Sequence, residues 1–267
     1  MIRDITIGQY YPVDSPIHRL DPRVKLAGTM VFLISLFAAS GIVAYALATV
    51  VLFALIRLSR VPFKFITKGL KTILILLIIS VSFNLFLTDG TPIITIGFLR
   101  ITWEGLSLAI FMAVRLIYLV IASSLMTLTT TPNQLTDGLE KGLGFLKRFS
   151  IPVHEISMMM SIALRFIPIL IEETDKIMKA QTARGADFES GNIVERAKAM
   201  VPILVPLFIS AFRRASDLAM AMEARCYHGG EGRTKMKPLH YEKRDKLAYW
   251  LMLIYFLLML ATRFLPF

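Results

Sequence analysis

The sequence predicts an all-α polytopic membrane protein with about five transmembrane helices and three cytosolic or inner-leaflet helices. Three observations carry this. The chain of 267 residues is 55% hydrophobic, with a mean hydropathy of +0.64 and only 18% charged residues, where soluble domains average about 25% charged. Its apolar residues come in long uncharged runs. Its 30 Lys and Arg, against 19 Asp and Glu, cluster beside those runs. They form no single basic stripe, so the net charge of +11 does not point to nucleic acid. The same composition excludes disordered and disulfide-scaffold classes, and the single cysteine, Cys226, allows no internal disulfide. The first 25 residues are polar and carry Asp4, Asp14 and Asp21, which does not read as a cleavable secretory signal.

The first apolar run, Leu26 to Leu58, has no charge before Arg57. It would make roughly 50 Å of helix, too long for one crossing of a core about 30 Å thick. A helical hairpin broken at Ser40-Gly41 is expected. Arg3, Arg19, Arg23 and Lys25 precede the run, and Arg57, Arg60, Lys64, Lys68 and Lys71 follow it. The positive-inside rule puts both clusters in the cytosol, hence an even number of crossings between them. The third span is Thr72–Leu87, followed by the turn Asp89-Gly90-Thr91-Pro92. Residues 93–101 alternate weakly and suggest a short external excursion. The fourth span is about Gly105–Leu128 and the last Leu247–Thr262, with Tyr249, Trp250 and Tyr255 as interfacial anchors.

Residues 132–246 hold 18 of the 30 Lys and Arg and 14 of the 19 Asp and Glu, so this region is expected in the cytosol with the N-terminus. Three helices are expected in it. Thr131 caps the first and Pro132 opens it, with Leu135, Leu139, Leu143 and Leu146 on one face and a break at Ser150-Ile151-Pro152. The second runs from about Val153 to Ala183 and ends at Gly185. The third runs from about Ile193 to Arg225 and closes at Gly229-Gly230. Both long helices have a proline-bearing apolar first half and a charged second half. The apolar halves span only about 14 residues each, short of the usual 17–25. They read as partly embedded in the inner leaflet, with two further spans as the alternative. The resulting division is 1–25, a cytosolic segment; 26–128, a four-helix bundle; 132–240, the cytosolic coupling region; and 245–263, the last span.

Chemistry is sparse. The five spans contain no Asp or Glu, and their one mid-span charge is Arg115, read as an arginine that snorkels or bonds a neighbouring helix. A carrier coupled to protons or sodium needs ionisable groups at that depth. Gly-Lys-Ser/Thr, HExxH and GxSxG sequences do not occur. His154-Glu155 reads as a surface pair, and Cys226 with His228 is too thin a set for a metal. No catalytic site and no metal site is expected.

The sharpest feature is a repeated tripeptide at two helix ends: Ala183-Arg184-Gly185 and Ala224-Arg225-Cys226. A cation in a last turn complements the helix dipole, but that needs no matched small neighbours. Small flanks leave the guanidinium protruding, and its planar fork suits a carboxylate in a partner's groove. Two such ends suit two similar partner surfaces. Met158, Met159 and Met160, with Met178, Met200, Met220 and Met222 on the same two helices, suit an adaptable interface or plain core filling.

With Ser15-Pro16-Ile17-His18-Arg19-Leu20-Asp21-Pro22-Arg23-Val24-Lys25 at its start and both Ala-Arg motifs, the chain resembles the CbiQ-like transmembrane subunits (EcfT) of energy-coupling factor transporters over nearly its whole length. Its second motif ends in Cys226 where that family typically has glycine. The resemblance implies a multi-pass protein of a prokaryotic plasma membrane with a cytosolic N-terminus. It implies a non-catalytic coupling subunit of a vitamin or micronutrient importer. Two ABC-type ATPases would hold the ATP and Mg²⁺, with no cofactor on this chain. A small integral membrane capture protein (the S-component) would select the substrate. Arg184 and Arg225 would dock into the ATPases, and Met158–Met160 would face the capture protein. Membrane lipid is the remaining partner, and nucleic acid is none. A self-sufficient permease is the alternative, disfavoured by the missing mid-membrane carboxylates. A membrane enzyme is disfavoured by the lack of any acid–base set.

Overall fold

A computed structural model describes residues 9–39, 41–96, 99–149, 151–186, 188, 192–229, 236 and 238–263. Eight α-helices follow in order: α1 (Pro22–Ala38), α2 (Gly41–Ser59), α3 (Phe63–Leu87), α4 (Trp103–Thr129), α5 (Pro132–Gly142), α6 (Val153–Ala183), α7 (Ile193–Ala224) and α8 (Lys243–Thr262). The predicted break positions Ser40, Ser150 and Gly230 lie outside the described residues.

Local chemistry sets the boundaries. Asp21 caps α1 by accepting from the Arg23 N–H at 2.8 Å, with Pro22 in the first turn. Gly41 opens α2 at φ +81°, a conformation open to glycine at no steric cost. Thr102 caps α4 through the Gly105 N–H. Thr131 and Gln134 form a reciprocal box at the start of α5, Gln134 N–H to Thr131 Oγ1 at 3.3 Å and Thr131 N–H to Gln134 Oε1 at 3.2 Å.

The chain divides into two compact units: one holds the described residues up to Gly138 and from Leu239 onward, the other Leu139–Pro238. In the first, α1, α2, α4 and α8 share a core that includes Phe32, Leu36, Tyr45, Leu52, Ile121, Leu125, Tyr255 and Met259. Ala44 and Ala48 are fully buried, and side chains this small let helices approach closely. Ser35 and the Tyr255 hydroxyl pair at 2.8 Å across 220 residues of sequence. Arg115 does bond a neighbouring helix, through Nε–H to the Tyr45 hydroxyl at 3.0 Å.

The N-terminal signature staples three helix ends of this unit. The buried Lys25 ammonium donates to the His18 carbonyl at 3.0 Å and to the Thr129 carbonyl, at the end of α4, at 2.8 Å. The Asp21 N–H donates to Asp245 Oδ1 at 2.9 Å, in the first turn of α8. Arg23 binds both oxygens of Asp21 and lies 3.8 Å over the Tyr241 ring.

Several expectations change in detail. Residues 93–96 and 99–101 lie in two paired antiparallel strands, β1 (Pro92–Ile96) and β2 (Leu99–Thr102). The third helix begins at Phe63, not Thr72, and turns by 60° between Lys71 and Ile73, where its lysine-bearing part gives way to an uncharged one. The expected leucine-faced helix after Thr131 stops at Gly142, and Gly144–Phe149 is a 3₁₀ turn; glycine favours no helix interior. Among the described residues five helices are long and apolar enough to cross a membrane: α2, α4, α8 and also α6 and the Lys198–Ala224 part of α7; of the other two expected spans, α1 is short at 17 residues and the bent α3 makes a sixth if its two parts count as one. Helices α6 and α7 qualify because apolar residues continue on either side of the stretches counted from sequence and outweigh the one or two charges among them, such as Arg165 in α6.

Candidate docking site

The second unit is built on α6 and α7, 31 and 32 residues long, about 46 and 48 Å. Both end in the same backbone device. After α6, the Gly185 N–H reaches the Thr182 carbonyl and the Ala186 N–H the Gln181 carbonyl, each at 3.0 Å. After α7, the Cys226 N–H reaches the Glu223 carbonyl at 2.8 Å and the Tyr227 N–H the Met222 carbonyl at 3.0 Å. These are paired Schellman closures. They put Arg184 and Arg225 at equivalent C-cap positions, each followed by a residue of positive φ: Gly185 at +89° and Cys226 at +54°.

The closure explains the tripeptide. The first residue completes the helix, the arginine caps it, and the third takes the left-handed turn that reverses the chain. Ala183, Arg184, Gly185, Ala224, Arg225 and Cys226 are all exposed. At each end the guanidinium stands on a sharp corner with only small side chains beside it, where the negative end of the helix dipole favours a cation.

Two contacts orient the helices. Arg214 Nη2 lies 2.5 Å from Glu173 Oε2. Gln181 Nε2 donates to the Pro202 carbonyl at a long 3.4 Å. That carbonyl would ordinarily receive the N–H four residues on, but residue 206 is proline and has none. Gln181 therefore answers an acceptor that the second proline of α7 leaves orphaned. Along α6 the contacts run from Glu173 to Gln181 while along α7 they run back from Arg214 to Pro202, so the helices cross in opposing directions. From Pro202 to Arg225 is roughly 34 Å of helix axis, which places the two arginine ends on the order of 30 Å apart.

Met159 and Met160 are 58% and 42% exposed and Met158 is half-buried, so two of the three are surface rather than core. A larger apolar surface lies on the apolar half of α7: Met200, Leu204, Phe208 and Phe212 at four-residue spacing, all exposed. Their i, i+4 repeat within an uncharged stretch was the available signal. His154 pairs with Glu140, not Glu155: its Nδ1 is 2.9 Å from Glu140 Oε1, and the Ser157 hydroxyl donates to Oε2 at 2.9 Å. His228 Nδ1 faces the Cys226 carbonyl at 2.9 Å. Among the described residues no group of three metal-ligating side chains comes together.

Comparison with known proteins agrees across the chain. Residues 14–236 match the family described as CbiQ, cobalt transport protein. The chain is 55% identical over 250 residues to the energy-coupling factor transporter transmembrane protein EcfT of Clostridium kluyveri, covering 93% of each. It is 50% identical over 246 residues to the protein of that name from Bacillus subtilis, covering 92% of this chain and 93% of that one. To that of Acidaminococcus fermentans it is 47% identical over 263 residues, covering 98% of each.

Proposed function

The chain belongs to the CbiQ family, and from that membership we propose that it is the coupling subunit of an ATP-driven importer, joining two cytosolic ATPases to a substrate-capturing membrane protein. It is a multi-pass membrane protein and the transmembrane component of an energy-coupling factor transporter, not itself an enzyme.

The observation that carries the finer reading is the pair of matched arginine corners at the ends of α6 and α7. Arg184 docks on one ATPase and Arg225 on the other, each guanidinium taking a carboxylate in a groove of its partner. ATP and Mg²⁺ are held by those partners. The separation of the two ends suits two separate subunits rather than one. Because the helices cross, closure of the ATPases moves the two ends toward each other and rotates the helices about their contact near Gln181 and Pro202. The exposed methionines Met158–Met160 face the capture protein, whose tilting carries the substrate through and whose own site selects it. Thioether side chains suit a surface that must slide against its partner.

Affinity purification from native membranes tests this. The double variant Arg184→Glu/Arg225→Glu inserts normally but recovers no ATPase, since each docking carboxylate then meets a like charge. The triple substitution of Met158, Met159 and Met160 by Ala keeps the ATPases and loses the capture protein. Full complex recovery with both variants refutes the assignment. Transport by the chain alone in liposomes establishes the permease reading instead.

A further inference from the structure

A cleft of about 850 Å³ opens within the helical bundle, floored by α1 at Gly28 and Thr29 and walled by α2 and α8. Its walls are apolar, among them Val51, Leu55, Leu251 and Leu258. Its mouth is not: Arg19, Lys25, Arg60 and Arg244 line it against one carboxylate, Asp14. Arg19 pairs with Asp14, and Arg244 is 2.7 Å from Glu242. Arg60 has no ion pair among the described residues, and its side chain's one hydrogen bond there is a long 3.4 Å reach to the Asp14 carbonyl. It sits at φ +55° on the turn after α2, which carries its side chain to the rim.

We propose that this cleft binds one anionic phospholipid, its phosphate at Arg60 and Arg244 and an acyl chain along the walls. Dimensions favour lipid over a protein segment. From Arg60 to Leu47 on α2, and from Arg244 to Leu258 on α8, each wall runs roughly 20 Å. That is about the depth of one leaflet from headgroup to midplane. Charge favours it too: a basic mouth over an apolar cleft between transmembrane helices is complementary to an anionic headgroup and its chain. The outer edges of the cleft, including Leu58, Leu247 and Ile254, are exposed large hydrophobics that meet bilayer tails. The occupied cleft fills the gap between the two walls and stiffens the bundle.

The full-length protein in phosphatidylcholine nanodiscs doped with phosphatidylglycerol tests the assignment, with retained lipid counted by native mass spectrometry. Wild type retains phosphatidylglycerol in preference to phosphatidylcholine. Arg60→Gln/Arg244→Gln weakens that retention by about fivefold per arginine, roughly 25-fold for the pair. Ala248→Trp, which fills a half-buried wall position, displaces the lipid with the charges intact. Equal retention of both lipids by wild type overturns the proposal, as does full competition by inorganic phosphate, which needs no acyl chain. If Ala248→Trp leaves lipid retention unchanged but costs a co-purifying membrane protein, the cleft is a protein interface and the proposal fails. The readout needs no ATPase or capture protein, so it stands or falls apart from the coupling role.

Discussion

Cys226 adopts a left-handed conformation, φ +54°, where its counterpart at the end of α6 is glycine at +89°. A β-carbon in that region costs about 1–2 kcal/mol, partly offset by the extra chain entropy that glycine loses on folding. Cys226→Gly therefore raises stability by about 0.5–1 kcal/mol, seen as a higher thermal midpoint in detergent, and leaves ATPase recovery unchanged because Arg225 keeps its corner. A lower midpoint contradicts the strained closure. Gln181 shows how a single residue answers a proline elsewhere: without its amide, the Pro202 carbonyl loses the partner that Pro206 denies it. Arg115 likewise is tied into the bundle by the Tyr45 hydroxyl, the bond to a neighbouring helix expected of a mid-span cation.

At the scale of elements, helix ends meet as well as helix faces. The start of α1, the end of α4 and the start of α8 meet at Lys25, Asp21 and Asp245. Lys25 precedes the first apolar run, and its ammonium serves the buried carbonyl end of α4 as a C-terminal cation does. Burial pushes its pKa down to about 8, against the opposing pull of Asp21 and Asp245. The folded value lies below the ordinary 10.5, so between the two the unfolded chain binds more protons and stability rises with pH. The stability of wild type minus that of Lys25→Met climbs from about pH 8 to about 10.5 and is flat below 8. Urea or thermal unfolding across that range checks it, and a level difference refutes the buried-ammonium account. The ion pair of Glu173 with Arg214 similarly fixes where α6 and α7 cross.

For the whole molecule, charge predicts the orientation: residues 132–246 hold 18 of the 30 Lys and Arg, and the positive-inside rule predicts a cytosolic side for their basic ends. The chain supplies its own probe, since Cys226 is its one cysteine, is exposed and sits at a proposed docking corner. A membrane-impermeant maleimide labels it in inside-out vesicles and not in right-side-out ones, and bound ATPase slows the labelling. Labelling from outside the cell reverses the topology and removes the docking reading with it.

The sequence by itself determined the all-helical class, the ends of α6 and the position of the Thr131-Pro132 start, because caps, prolines, glycines and hydropathy act within a turn or two of the chain. It also determined where the arginine tripeptides lie, though not that both close in one backbone geometry, since nothing in a cysteine announces a positive φ. Only the tertiary structure decided that Ser35 meets Tyr255, that His154 turns to Glu140 rather than to its neighbour Glu155, and that Gln181 finds Pro202. Pairings between distant residues depend on the register and crossing of whole helices, and those are fixed by side-chain packing summed over many residues, which no short stretch of sequence contains.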